Sequence, residues 1–84
     1  MTQLEIFRKE IDEINIKLIE LFKKRMEISK KIGDFKKEND IPILDLNREK
    51  EIIKTYTENE DSRYKEYIKK FLQNIMDISK EAQN

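Results

Sequence analysis

The sequence contains no cysteine and no histidine, and it has one glycine and one proline in 84 residues. Without cysteine and histidine there is no thiolate nucleophile, no imidazole base and no usual set of zinc ligands. Only a metal ion held by oxygen ligands remains conceivable. These absences exclude whole classes of catalytic mechanism before any motif is considered.

Long apolar runs are also missing, since nowhere do about 18 apolar residues stand together, and the N-terminus lacks a basic segment followed by an apolar one. The eighteen basic and eighteen acidic residues cancel, so no global field attracts nucleic acid or an anionic membrane. We expect one cytoplasmic domain over residues 1–84, in which any anion site is built locally.

The residues that are present favour helix over strand, because Leu, Ile, Lys and Glu dominate over Val and Thr. Apolar side chains recur at steps of three and four in a heptad seam. The seam comprises Leu4, Phe7, Ile11, Ile14, Leu18, Leu21, Ile28, Ile32 and Phe35. A first helix is predicted over about residues 3–39, with Thr2 and Glu5 as a capping box and Ile41-Pro42 as the stop.

Two shorter helices are predicted after it. The second begins at residues 45–47 and ends before the polar stretch 57–62, and the third runs from about Ser62 almost to the last residue. Their apolar residues are Leu46, Ile52, Ile53 and Tyr56, then Tyr64, Tyr67, Ile68, Phe71, Leu72, Ile75, Met76 and Ile78. One copy of this all-α, three-helix chain would leave much apolar surface bare, so a second chain is the simplest cover.

Charged residues and a glycine interrupt the apolar pattern of the first helix. Arg25 occupies a slot of the apolar seam, where a guanidinium costs several kcal/mol unless it is paired. It therefore pairs with a carboxylate, extends to solvent, or binds an anionic ligand. Lys36 lies three turns further, about 16 Å along nearly the same face. Gly33 costs about 1 kcal/mol relative to Ala, which indicates either a close approach of backbone or ligand, or mere tolerance.

Polar residues also continue the apolar stripe of the third helix. Ser79 and Gln83 follow Met76 at helical steps, which places them on an inward-facing wall, although fraying of the C-terminus into solvent is the alternative for Gln83. Asp45, Arg48 and Glu49 crowd the start of the second helix, where acids are normally explained by capping and the helix dipole.

Taken together, these positions resemble the AroQ class of chorismate mutases, small all-helical enzymes of phenylalanine and tyrosine biosynthesis. Six elements in order carry the resemblance. They are Phe-Arg-Lys-Glu-Ile-Asp at 7–12, Arg25, Gly33, Lys36, Ile-Pro-Ile-Leu-Asp-Leu-Asn-Arg-Glu at 41–49, and Ser79 with Gln83.

The resemblance implies an isomerase that needs no cofactor and rearranges dianionic chorismate to prephenate by a Claisen-type reaction. Its pocket residues would be Arg8, Arg25, Lys36, Asp45, Arg48, Glu49, Ser79 and Gln83. By analogy, Lys36 and Gln83 donate to the ether oxygen, Arg8 and Arg25 bind carboxylates, and Glu49 with the backbone near Asp45 holds the ring hydroxyl. Arg48 and Ser79 complete the carboxylate contacts.

The same resemblance implies an intertwined antiparallel homodimer in which Arg8 comes from the neighbouring chain. The rise per residue supports this independently, because Arg8 and Lys36 are 28 residues apart, about 42 Å along one helix. Related modules occur fused to other enzymes of the aromatic pathway, so a partner enzyme stays an open expectation.

Three alternatives remain open from the sequence. The heptad seam alone would suit a non-catalytic helical dimerisation module. The basic residues between Lys23 and Lys37 could bind nucleic acid, although interleaved acids favour a solvated helix face. An arginine-lined helical pocket also serves isochorismate pyruvate elimination, and only the resemblance separates that reaction from the mutase.

Overall fold

The computed structural model describes residues 1–84 as three α-helices without any strand. The helices are α1 (Gln3–Glu38), α2 (Leu46–Thr57) and α3 (Ser62–Gln83). The predicted all-helical, three-helix chain is confirmed. None of the three helices is long and apolar enough to cross a membrane.

Capping side chains define the beginnings of the helices. The Thr2 hydroxyl accepts from the Glu5 N–H at 3.2 Å, which forms half of the predicted capping box, and the Asp45 carboxylate caps α2 through the Arg48 N–H at 3.0 Å. Asp61 caps α3 in the same way, accepting from the N–H of Arg63 at 2.9 Å.

The end of α1 is a Schellman turn rather than a stop imposed by proline alone. Asp40 adopts a left-handed conformation with φ 55°, the Ile41 N–H donates to the Lys36 carbonyl at 2.8 Å, and the Asp40 N–H donates to the Lys37 carbonyl at 3.4 Å. The prediction that α2 ends before residue 57 was wrong, because Thr57 is buried in its last turn and its hydroxyl donates to the Ile53 carbonyl at 2.6 Å.

Helix α3 packs against both α1 and α2, whereas the backbones of α1 and α2 do not approach each other closely. The molecule measures 56 × 27 × 15 Å, because α1 extends far beyond the part that α3 covers. Met76 of α3 is the one apolar side chain that is buried. The rest of the small core consists of half-buried residues, namely Ile52, Ile53, Ile68, Leu72 and Ile75.

A single chain leaves a large apolar surface exposed. The accessible surface is 7242 Å², whereas a compact 10.3 kDa monomer is expected to expose about 5,400 Å². The N-terminal half of α1 contributes much of the excess, because Leu4, Phe7, Ile11, Ile14, Leu18 and Leu21 are all exposed. The predicted bare apolar stripe is therefore confirmed.

Candidate active site

One cavity of about 270 Å³ lies where the C-terminal half of α1, the start of α2 and the end of α3 converge. Seven of the eight polar residues predicted from the sequence line it: Arg25, Lys36, Asp45, Arg48, Glu49, Ser79 and Gln83. Apolar side chains complete the wall, namely Ile28, Ile32, Ile43, Ile52 and Met76. A polar constellation of this kind on a partly apolar wall is typical of a small-molecule site.

Arg25 contacts no carboxylate. Its guanidinium donates to the Ser79 hydroxyl on α3, and Ser79 itself is buried at 5% exposure. Burial lowers the pKa of Arg25 from its usual value, although an arginine remains protonated at neutral pH. Of the three possibilities left open for Arg25, pairing with an acid of the same chain is therefore wrong, and within one chain the guanidinium retains its full charge toward the cavity.

Lys36 is the second cation of the cavity without an acidic partner. Its ammonium donates to the Ile43 carbonyl at 3.0 Å, which ties the end of α1 to the segment before α2. A lysine ammonium has three donors, so two remain for a ligand. Lys36 and Arg25 therefore supply unneutralised positive charge from one face of α1, three turns apart.

Gln83 lies in the cavity because Gly33 has no side chain. A Cβ atom on Gly33 would lie 2.8 Å from the Gln83 Cα and 2.9 Å from its Cβ, so only glycine permits this approach of α3 to α1. The Gln83 Oε1 atom is buried without a hydrogen-bond partner. The close approach predicted at Gly33 is confirmed, and the alternative that Gln83 frays into solvent is wrong.

Glu49 is the acceptor on the α2 side of the cavity. Its side chain is 14% exposed and accepts from the Gln73 amide at 3.2 Å and from the Lys80 ammonium at 3.1 Å. Asp45 and Arg48 lie beside it with largely local partners: Asp45 caps the helix, and the Arg48 guanidinium pairs with Glu51 along α2.

Arg8 is the one predicted pocket residue that this chain does not bring to the cavity. It is exposed in the N-terminal half of α1, and because the helix is unbroken it lies about 42 Å from Lys36. A small ligand in the cavity cannot reach Arg8 of the same chain.

The electrostatics of the cavity favour an anion. Its lining carries four basic side chains, Arg25, Lys36, Arg48 and Lys80, against the two carboxylates of Asp45 and Glu49. No group of three or more acidic side chains is placed to hold a metal ion. The arrangement can therefore bind a small anion through cations, amides and hydroxyls of the chain itself.

Several lining groups were not predicted from the sequence. Lys80 of the cavity wall carries no signal in the sequence, and neither does Gln73, which is not part of the wall but donates to Glu49, because charged and amide residues are ordinary on a surface helix. The Ile43 carbonyl is a backbone atom common to every residue type. Ser29 is buried at 5% exposure in the cavity wall. Its position four residues after Arg25 and four before Gly33, on the same helical face, could have identified it.

The chain is similar to known proteins in sequence and in fold. The family model for chorismate mutase type II matches residues 7–84. The chain is 38% identical over 53 residues, or 63% of its length, to the bifunctional chorismate mutase/prephenate dehydratase of Aquifex aeolicus, and the match spans 15% of that protein. A solved structure of a conserved hypothetical protein from Pyrococcus furiosus superposes with a TM-score of 0.81 at 38% identity, covering 100% of this chain and 99% of that one.

The resemblance drawn from the six sequence elements is confirmed, because the family match includes every one of them. The chain belongs to the chorismate mutase type II family.

Proposed function

We propose that residues 1–84 form a single domain with chorismate mutase activity, which isomerises chorismate to prephenate for phenylalanine and tyrosine biosynthesis. The observation that carries the proposal is the convergence of Arg25, Lys36, Ser79 and Gln83 on one cavity in which neither cation has an acidic partner. A dianionic substrate would meet charges that the protein itself leaves uncompensated.

The reaction suits a chain without histidine or cysteine. A C–O bond breaks while a C–C bond forms within one molecule, and no proton is transferred. The protein must select the compact substrate conformer and stabilise the negative charge that develops on the ether oxygen. Cations and amides are sufficient for both tasks.

Lys36 and Gln83 are the donors that we assign to the ether oxygen. Lys36 keeps free donors after its bond to Ile43. The Gln83 side chain lines the same cavity, its Oε1 atom has no partner within the chain, and its amide nitrogen supplies donors. Interactions that strengthen as charge develops raise turnover, whereas uniform binding of substrate and transition state lowers KM alone. The rate enhancement therefore depends chiefly on these two residues.

The remaining polar residues bind the groups that do not react. Arg25 and the partner's Arg8 would each take a carboxylate, for which the planar guanidinium fork is suited. Ser79 and Arg48 complete the carboxylate contacts, and Glu49 with the backbone near Asp45 accepts the ring hydroxyl.

We infer that the site is completed by a second copy in an intertwined antiparallel dimer. Two long α1 helices packed antiparallel would bring Arg8 of each chain toward the cavity of the other, giving two equivalent sites related by a two-fold axis. Each chain exposes about 1,800 Å² more than a compact monomer of its size would. Two chains together would therefore bury about 3,600 Å², which is within the range of obligate dimer interfaces. The exposed apolar residues of α1 would be the surface buried.

A neighbouring cavity of about 370 Å³ supports this arrangement. It shares Arg25, Arg48 and Ile52 with the candidate site, and its other lining residues are Tyr56, Phe71, Leu72 and Ile75. An apolar helix that carries one arginine to a position beside Arg25 would fit this cavity.

The fused relative in Aquifex aeolicus further supports an association with another enzyme of the aromatic pathway.

Incubation of purified protein with chorismate, without added metal or cofactor, tests the proposal. We expect the chorismate absorbance to decrease and chromatography to identify prephenate as the product. Pyruvate with salicylate would instead indicate the related elimination reaction, and no turnover would favour a structural module. The exposed variant Lys30→Ala, which leaves the cavity unchanged, is the matched control.

A further inference from the structure

The carboxylate of Glu49 is held from the neighbouring helix. Glu49 belongs to α2, but its two oxygens are contacted by α3 residues, Oε1 by the Gln73 amide at 3.2 Å and Oε2 by the Lys80 ammonium at 3.1 Å. The side chains of Glu49 and Lys80 are 14% and 29% exposed. A pair this sheltered is screened less by solvent than an ordinary surface ion pair.

Asp77 holds the two α3 donors in place. Its Oδ1 accepts from the Gln73 amide at 3.0 Å and pairs with the Lys80 ammonium at 3.2 Å. The bond to Glu49 is the largest cause that raises the pKa of Lys80, followed by the bond to Asp77. Gln73, Asp77 and Lys80 therefore form a clamp on one face of α3.

We propose that Lys80 is a positioning residue that fixes the Glu49 carboxylate against the cavity so that it can accept a hydroxyl of the bound substrate. The proposal rests on the proposed function, which assigns the ring hydroxyl to Glu49. Each carboxylate oxygen has acceptor capacity for two hydrogen bonds, so the bonds to Gln73 and Lys80 leave one on each oxygen. Without Lys80, Glu49 would rotate among several conformers and bind its ligand less well.

A second pair on α3 shows what an ordinary surface ion pair looks like here. Lys69 and Glu66 lie 3.3 Å apart on the same helix, with side chains 45% and 74% exposed, and neither lines the candidate site or the neighbouring cavity. The Lys80–Glu49 pair differs because it joins two helices and lines the candidate site.

Enzyme kinetics with a matched control test the positioning role. In Lys80→Met we expect KM for chorismate to rise about tenfold with little change in kcat, the loss expected when a hydrogen bond to a charged group is removed from uniform substrate binding. Lys80→Arg should restore most of the loss, and Lys69→Met should behave like the unsubstituted chain. An unchanged KM in Lys80→Met would overturn the proposal.

A double-mutant cycle separates positioning from a general structural effect. In a Glu49→Gln background, Lys80→Met should cause no further rise in KM, because the carboxylate that Lys80 holds is absent. An equally large rise in that background would contradict action through Glu49. Circular dichroism of each variant verifies that the helices are retained.

An NMR titration of the Lys80 ammonium tests the pair without any turnover. The charged groups around it are Glu49 and Asp77, with Arg25, Lys36, Asp45 and Arg48 elsewhere on the cavity wall. We expect the pKa of Lys80 to lie above its ordinary value and to fall in Glu49→Gln. An unchanged pKa would overturn the proposal, whereas chorismate turnover by the unsubstituted chain tests the proposed function separately.

Discussion

Gly33 of α1 lies directly against the backbone of Gln83 near the end of α3. A Cβ atom at position 33 would be 2.8 Å from the Gln83 Cα, closer than side-chain carbons approach in real proteins. Because the nearest atom belongs to the backbone, no rotamer change of Gln83 can relieve the overlap. The absence of a side chain at Gly33 therefore allows the Gln83 amide to lie in the cavity.

Gly33→Ala should separate activity from folding. The new methyl group would displace the end of α3 and Gln83 with it, and a displacement of about 1 Å at a catalytic group can lower the rate roughly a hundredfold. Alanine favours the helix by about 1 kcal/mol relative to glycine, which offsets the cost of this displacement, so thermal stability should change little. Turnover and thermal unfolding measured beside the exposed variant Asp34→Ala provide the comparison. Full activity in Gly33→Ala would refute this account of the glycine.

Lys36→Ala should lower turnover without unfolding the protein. Loss of one donor at a developing oxyanion typically costs about 2.7–4 kcal/mol, which corresponds to roughly a hundredfold to a thousandfold in kcat. Lys30→Ala, on the exposed part of the same helix, should have no effect. A loss below tenfold in a folded Lys36→Ala dimer would remove Lys36 from the role assigned to it.

Gln83→Glu should make activity depend on pH. The amide donates at any pH, whereas a carboxylic acid donates only when it is protonated. We expect the unsubstituted chain to keep its activity through neutral pH and the variant to lose activity as the pH rises through the pKa of the new acid. The measurement is kcat/KM across the pH range for both proteins. Identical profiles would exclude Gln83 as a donor to the substrate.

Arg25→Leu distinguishes an enzyme from a helical dimerisation module. Arg25 is a half-buried charge without an acidic partner, so its replacement by an apolar residue removes a cost of desolvation. Even buried ion pairs are often replaced by apolar residues without loss, or with a gain of about 1–4 kcal/mol. We therefore expect an equal or higher melting temperature together with loss of chorismate turnover. If turnover persists in Arg25→Leu, the guanidinium does not bind the substrate.

The helices could be predicted from the sequence because local signals define them. Thr2 and Asp45 cap helices through their own side chains. The apolar steps of three and four hold along α1 except at Arg25. The predicted end of α1, at about residue 39, lies one residue beyond the observed end at Glu38. The helix ends in a Schellman turn in which Asp40 is left-handed, and an aspartate does not by itself require that conformation. Thr57 was excluded from α2 because its buried position depends on packing rather than on helix propensity.

The candidate site could be predicted where a residue conflicts with its surroundings. Arg25 in an apolar seam and Gly33 inside a helix are anomalies that local structure cannot explain, so they indicated function. Lys80 conflicts with nothing in the sequence, and its place in the cavity depends on the packing of α3 against α2. Arg8 is likewise an ordinary surface arginine within one chain, and only a second copy would give it a ligand.

Complementation between two inactive variants tests the composite site most directly. In a heterodimer of Arg8→Ala and Lys36→Ala, purified by a different tag on each chain, one site would lack both residues and the other would be intact. We predict about half of the unsubstituted turnover per dimer for this heterodimer, while each parent homodimer retains about 1% or less. A heterodimer no more active than its parents, or an Arg8→Ala homodimer with full activity, would contradict a site built from two chains.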